Sequence, residues 1–126
     1  MKKITLAILM LFSLSFINAQ TTSINVNSED AVEKFLLKNH VWSCPDAGKY
    51  ELFFTYDYYS QYNTYALIFW TLDRNDPVGV FSNVSFDPGS YCTIKGTDAL
   101  TGKDVSVDLY KDGHCMSGGN YFSKIK

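Results

Sequence analysis

The sequence predicts a mainly β domain. We expect an antiparallel meander of six or seven strands, curled into a half-barrel or small barrel, with one N-terminal helix packed on it. Three observations predict this class. Apolar and polar residues alternate with a period of two in several stretches, and short polar turns separate these stretches about every 8 to 15 residues. Only one stretch, near residue 30, has helical periodicity.

Residues 1–19 have the features of a signal peptide. Lys2 and Lys3 precede an apolar run, and Ile17-Asn18-Ala19 offers a cleavage site before Gln20. The apolar run is short for a membrane span, no second run follows, and no cysteine lies directly after the cleavage point to carry a lipid. We therefore expect an exported protein of bacterial type, periplasmic or extracellular, without a stable membrane anchor.

The remaining 107 residues are enough for one domain, which we place at 28–126 after a flexible leader at 20–27. Nine basic and thirteen acidic residues give this part a formal charge of −4. Because no basic cluster is present, we expect no nucleic-acid partner. The sequence contains no phosphate loop, dinucleotide fingerprint or nucleophile elbow, so we expect no cofactor.

The helix is expected from about Glu29 to Lys38. Ser28 can cap it, and Glu29 and Asp30 place negative charge at the positive end of its dipole. The apolar stripe consists of Ala31, Val32, Phe35 and Leu36. A helix this short is marginal alone, so its stripe must pack on the rest of the domain.

The central hairpin, residues 49–72, holds ten of the twenty aromatic residues and reads as two strands joined at Ser60-Gln61. Before it, Val41-Trp42-Ser43 is a short strand or an extended entry. The later strands follow from alternation and from the turns at Asp87-Pro88-Gly89 and Asp112-Gly113. We expect them at Val78–Phe86, Ser90–Lys95, Val105–Tyr110, His114–Met116 and Tyr121–Ile125.

In the hairpin we expect Leu52 to lie opposite Trp70, because this pairing gives both strands one consistent apolar face. That face contains Leu52, Phe54, Ile68 and Trp70. The same pairing aligns an aromatic row on the other face: Phe53, Phe69 and Phe81. Such a row is too large to stay exposed in a monomer without a reason. Either the helix and Trp42 cover it, or it forms a binding or oligomer interface.

Tyrosines crowd around the tip of the hairpin. They are Tyr56, Tyr58, Tyr59, Tyr62 and Tyr65. Tyrosine rings can stack on sugars or anchor a protein partner. They can equally form cross-strand pairs that only stabilise the hairpin, and this interpretation carries more weight.

Other residues give weaker signals for chemistry. His40 and His114 have no spacing typical of a metal site, and His114 cannot readily activate Cys115 because neighbours on a strand point to opposite faces. Asp73, Asn75 and Asp76 resemble part of a calcium loop that lacks its glycine and glutamate. We therefore expect neither a metal site nor identifiable catalytic residues.

The three cysteines are Cys44, Cys92 and Cys115. The expected pairing, with Val84 opposite Cys92, puts Cys92 and Cys115 two strands apart and offset, too far for a disulfide. We expect a buried, inert Cys92 and a reactive Cys115 near a hairpin tip.

A helix followed by a tryptophan at the entry to a meander resembles lipocalin-like domains. Asn39-His40-Val41-Trp42 stands where those domains show Gly-x-Trp. The resemblance covers these few residues, carries no site residue across, and the chain after residue 19 is short for the full eight strands.

The surplus of aromatic residues favours a non-enzymatic binding domain. Its partner would be a protein, a glycan or a small apolar ligand, bound through Phe53, Phe69, Phe81 and the tyrosines at the hairpin tip. The alternatives are a small hydrolase that uses His114 or His40 with Asp108 or Asp112, and an inhibitor-like or immunity-like protein.

Overall fold

The computed structural model describes residues 23–45, 47, 51–71 and 77–126. Within them, one helix precedes eight antiparallel strands that form a closed barrel, in which each strand pairs with the next and β8 pairs with β1. The elements are α1 (Glu29–Leu36), β1 (Val41–Cys44), β2 (Leu52–Tyr59), β3 (Thr64–Trp70), β4 (Pro77–Asp87), β5 (Cys92–Asp98), β6 (Asp104–Leu109), β7 (Cys115–Ser117) and β8 (Asn120–Lys124).

This architecture confirms the predicted mainly β meander with one N-terminal helix. The barrel closes with eight strands where six or seven were expected, because the short segment β1 pairs with both β2 and β8. The predicted signal peptide and the Asp73–Asp76 segment lie outside the described residues. In the part of the chain that is described, no helix is both long enough and apolar enough to cross a membrane.

The helix forms for the local reasons that the sequence provides. The hydroxyl oxygen of Ser28 accepts a hydrogen bond from the backbone N–H of Ala31 at 3.2 Å, which satisfies one of the free donors of the first turn. After α1, Asn39 has a φ of 60°, the left-handed conformation in which helices commonly end. In the predicted stripe, Val32 and Leu36 are 0% and 1% exposed, whereas Ala31 and Phe35 are partly buried.

The helix packs on the interior of the barrel rather than on the Phe53 side. Val32 and Leu36 belong to the same core cluster as the inward-facing residues of the strands. Residues 24 and 26, from the stretch expected to be a leader, join the domain here: the N–H of Ile24 donates to the carbonyl of Lys111, and Val26 is 1% exposed. The expectation that the helix covers the Phe53 row is therefore wrong.

Pairing in the central hairpin differs from the predicted register by one residue. Phe53 pairs with Trp70, and Phe54 pairs with Phe69. The cause is the loop between β2 and β3, which holds four residues and ends with Asn63 in the left-handed conformation at a φ of 52°. A slip of one residue moves every side chain of a strand to the other face.

The predicted row across the sheet is consequently wrong. Phe69 and Phe81 face the interior of the barrel, together with Phe54. Phe53 lies on the opposite side of the wall beside Trp70, where it is buried at 9% exposure.

A bulge in β4 is the second departure from simple alternation. The register shifts between Ser82 and Ser85, where Asn83 adopts a φ of 54°. Because of this extra residue, Phe81 and Phe86 both pack against the core although their numbers differ in parity. Phe86 pairs with Ile94, so the expected pairing of Val84 with Cys92 is wrong.

Trp42 is the centre of the core. Its side chain is fully buried, stacks on Phe54 with ring centroids 4.7 Å apart and donates its indole N–H to the carbonyl oxygen of Gly113 at 2.7 Å. One residue of β1 thus contacts the neighbouring strand β2 and the loop between β6 and β7.

All three cysteines are free and buried. Cys92 and Cys115 both pair with Leu109, so they lie two strands apart in one row, without the predicted offset. Cys115 is 0% exposed, and burial raises the pKa of its thiol well above the ordinary value. Cys92 is buried as expected, and burial raises the pKa of its thiol. Cys115 is equally buried because its strand turns the side chain inward, which contradicts the accessibility that its expected reactivity requires.

Candidate functional site

The two ends of the barrel differ. At the closed end, α1 and residue Val26 cover the interior, and the backbone N–H of Gly89 donates to the carbonyl of Val26. The β4–β5 and β6–β7 connections run at this end. The other end, where the β5–β6 and β7–β8 connections run, is called the open end and has a pocket of about 300 Å³. At this end β1 and β3 also end and β2 and β4 begin, and the connections between them lie partly outside the described residues.

Six of the eight strands contribute to this pocket, which we call the mouth pocket. Its described lining residues are Leu52, Phe69, Val78, Gly79, Phe81, Val105, Ser117, Gly118, Asn120 and Phe122. Strand alternation explains which residues line the pocket, because residues two apart on one strand point to the same side of the barrel wall. Leu52, Phe81 and Val105 are only partly buried, so the core becomes accessible at this end.

The described part of the mouth pocket has an apolar, uncharged lining. None of the described residues that line it is charged, and only Ser117 and Asn120 have polar side chains. The hydroxyl of Ser117 donates to the carbonyl oxygen of Ser106 at 2.8 Å, which leaves it free only to accept. Chemically, this surface can desolvate an apolar molecule and offer it one or two hydrogen-bonding groups.

Three phenylalanines form its aromatic wall. The ring of Phe69 is edge-on to that of Phe81, with centroids 5.7 Å apart, and edge-on to that of Phe122 at 6.2 Å. These are the T-shaped arrangements that aromatic pairs prefer. Phe69 and Phe81 were candidate binding residues from the sequence, whereas Phe122 was not.

The tyrosine candidates are located elsewhere, in the β2–β3 hairpin, whose tip is at the closed end. Tyr65 stacks on Tyr56 at 5.5 Å and meets Tyr58 edge-on at 5.6 Å. Tyr59 and Tyr62 form a separate pair at 5.1 Å. Burial raises the pKa of Tyr56, with nearby Glu33 and Tyr65 acting in the same direction. The structure thus brings these tyrosines together in two groups, neither of which includes Phe69 or Phe81. Tyr56, Tyr58 and Tyr65 form a cross-strand group, and Tyr59 pairs with Tyr62 of the adjoining loop.

A stack of four rings on the outer surface escaped sequence reasoning. Tyr91, Tyr110, His114 and Tyr121 stack in that order, with centroid separations of 5.1, 4.4 and 4.6 Å. The signal was available in principle, because the Asp112-Gly113 turn returns the chain beside Tyr110. Extending the pairing to β8 would have placed Tyr121 next to His114.

The histidine–carboxylate pair of the hydrolase hypothesis exists in this stack. Both the backbone N–H and the ring Nδ1 of His114 contact Asp112 Oδ1, and the backbone hydrogen bond is the main reason that the pKa of Asp112 is lowered. Tyr110 and Tyr121 cover the two faces of the imidazole. Among the described residues, no hydroxyl or thiol is hydrogen-bonded to His114.

His40 has a structural environment at the closed end. Its ring stacks on Phe35 at 4.2 Å, and Nδ1 lies 3.1 Å from the carbonyl oxygen of Lys126. Burial lowers the pKa of His40 against the effect of that hydrogen bond, and Lys124 and Lys38 lower it further. Within the described ranges, no three His, Cys, Asp or Glu side chains are grouped as a metal site would require.

Comparison with family models, curated proteins and solved structures finds no match.

Proposed function

We propose that this protein binds one small, neutral, apolar molecule in the mouth pocket. The supporting observation is the asymmetry of the barrel, which is plugged at one end by Val32, Leu36 and Trp42 and has an apolar pocket of about 300 Å³ at the other. An eight-stranded barrel is just wide enough to be filled by side chains or to hold one small ligand. The volume lies at the lower limit of ordinary ligand pockets.

Binding without turnover fits the chemistry of the lining. Ser117 and Asn120 are its polar side chains, and no histidine or carboxylate is among the described residues that line it. The binding energy would come from apolar surface removed from water, at about 25 cal/mol per Å². The signal-peptide features of residues 1–19 extend the proposal: the ligand is met outside the cytoplasm, by a protein that carries or sequesters it unchanged.

Calorimetric titration of the purified protein with 2-naphthol, a neutral two-ring compound, tests the proposal. We expect one site with a Kd between about 1 µM and 1 mM, the range that a ligand of this size reaches. Replacing Val105 by tryptophan should fill the pocket from β6 and weaken binding by about tenfold or more.

The matched control is Leu100→Trp, which adds the same ring at a position that is 85% exposed on the β5–β6 connection. This variant should bind like the unmodified protein. If the unmodified protein shows no saturable binding, or if Val105→Trp binds as tightly as Leu100→Trp, the mouth pocket is not the site.

A further inference from the structure

The ring of Phe81 owes its position to Gly79, two residues earlier on β4. A Cβ atom added to Gly79 would lie 2.8 Å from Cε2 and 3.3 Å from Cζ of Phe81. Carbon atoms in favourable contact are about 3.5–4.0 Å apart, so a side chain at residue 79 and this ring position exclude each other. The ring therefore lies along its own strand, over Gly79 and toward the open end.

Two other neighbours of Phe81 limit where a displaced ring can move. On the β5 side, a Cβ atom added to Gly96 would lie 2.9 Å from the Cβ atom of Phe81 and 3.0 Å from its carbonyl oxygen, so the two backbones are already in close contact. On the β3 side, Phe69 is edge-on to the ring. A ring displaced from Gly79 cannot move toward Phe69 on β3, so it would turn into the mouth pocket that it already lines.

On the basis of the proposed function, we infer that Phe81 sets the size limit of the ligand, which is a flat, neutral aromatic molecule of about two fused rings. An engineered cavity of about 150 Å³ holds one benzene molecule, so a pocket of about 300 Å³ holds about twice that volume. A charged ligand would lose its hydration without gaining a partner, since the described lining residues carry no charge.

The aromatic class and one polar group follow from the lining. Phe69, Phe81 and Phe122 present rings from three strands, and aromatic pairs gain attraction beyond the area that they bury. The hydroxyl of Ser117 already donates to Ser106 and can only accept from a ligand. A single O–H or N–H on the ligand would satisfy it, as in naphthols and indoles.

A double-mutant cycle at residues 79 and 81 tests the inference. The probes are 2-naphthol, which has two fused rings, and 1-pyrenemethanol, which has four. Each carries a single hydroxyl group, directly on the ring in the first and on a methylene group in the second. The unmodified protein should bind 2-naphthol at least about tenfold more tightly than 1-pyrenemethanol, which its pocket volume excludes. Gly79→Ala should weaken the binding of 2-naphthol by about tenfold or more, because the added methyl group drives the ring into the pocket.

The decisive variant combines Gly79→Ala with Phe81→Ala. Without the ring, the methyl group has nothing to displace, so binding of 2-naphthol should return to within about threefold of that of Phe81→Ala alone. Phe81→Ala should also admit 1-pyrenemethanol. Gly89→Ala is the control for the glycine change, since its added Cβ would meet only the carbonyl oxygen of Tyr91 at an ordinary 3.5 Å.

The possible results distinguish a failure of the size limit set by Phe81 from a failure of the proposed function. If the unmodified protein binds 2-naphthol, and Gly79→Ala binds it equally well or Phe81→Ala still excludes 1-pyrenemethanol, then Phe81 does not set the size limit while the proposed function stands. If none of the folded variants binds either probe, the proposed function fails as well. Should Gly79→Ala not fold, titration of the unmodified protein and of Phe81→Ala with 1-pyrenemethanol still decides whether the ring is the barrier.

Discussion

Replacing Trp42 by alanine should lower the free energy of unfolding by about 3–5 kcal/mol, which is a large part of the 5–15 kcal/mol typical of a domain. The indole is fully buried, its ring covers Phe54, and its N–H is bonded to the carbonyl of Gly113 across the closed end. Truncation leaves both a cavity and an unpaired carbonyl. Urea denaturation followed by circular dichroism measures the loss.

Two variants divide this effect into its parts. Trp42→Phe keeps a ring on Phe54 and removes the hydrogen-bond donor, so we expect a smaller loss of about 1–3 kcal/mol. Trp70→Ala makes the same truncation at the only other tryptophan, which is half-buried on the outer side of β3. If Trp42→Ala costs no more than Trp70→Ala, the core is not organised around Trp42.

A charge on the buried face of α1 should lower the free energy of unfolding about as much as Trp42→Ala does. Val32 is 0% exposed within the core cluster, so Val32→Asp would bury a carboxylate without a cationic partner, at a cost of several kcal/mol. We expect the variant to be unfolded or to bind a hydrophobic dye, because the plug at the closed end can no longer pack.

The control for this charge is Leu37→Asp. Leu37 follows α1 directly and is 42% exposed, so the carboxylate remains in water and only opposes the helix dipole, at a cost of about 0.3–1 kcal/mol. Equal midpoints of urea denaturation for the two variants would mean that α1 does not plug the barrel.

Local signals in the sequence predicted the helix well. Ser28, the acidic first turn and the apolar stripe act within about ten residues, and the structure contains the expected cap and the buried Val32 and Leu36. The fold class followed from alternation and turn spacing for the same reason. Neither required knowledge of which distant strands meet.

The pairing register was not predictable to the residue. The register depends on the conformation of single residues, here Asn63 in a loop and Asn83 in a bulge. A register shift of one residue at either position reverses which face of the strand its side chains occupy. Asparagine is among the few residues other than glycine that adopt the left-handed conformation readily, so the signal existed. Alternation alone gave no reason to place a four-residue loop at one asparagine and a bulge at the other.

The mouth pocket depends on contacts that are still more distant. Leu52 and Phe122 line one pocket because β1 and β8 pair and close the barrel, and no local pattern indicates that closure. Phe69 and Phe81 were correctly selected as an aromatic pair in the sequence, but on the wrong face. Their shared environment became clear only when the register was known.

The most direct test of ligand binding in the mouth pocket is a methyl-resolved NMR titration of the purified protein with 2-naphthol. If the ligand enters the open end, the methyl signals that shift will be those of Leu52, Val78 and Val105. The signals of Val26, Val32 and Leu36, at the closed end, should remain in place. Shifts at these closed-end methyls, with none at Leu52, Val78 and Val105, would mean that the ligand does not bind in the mouth pocket.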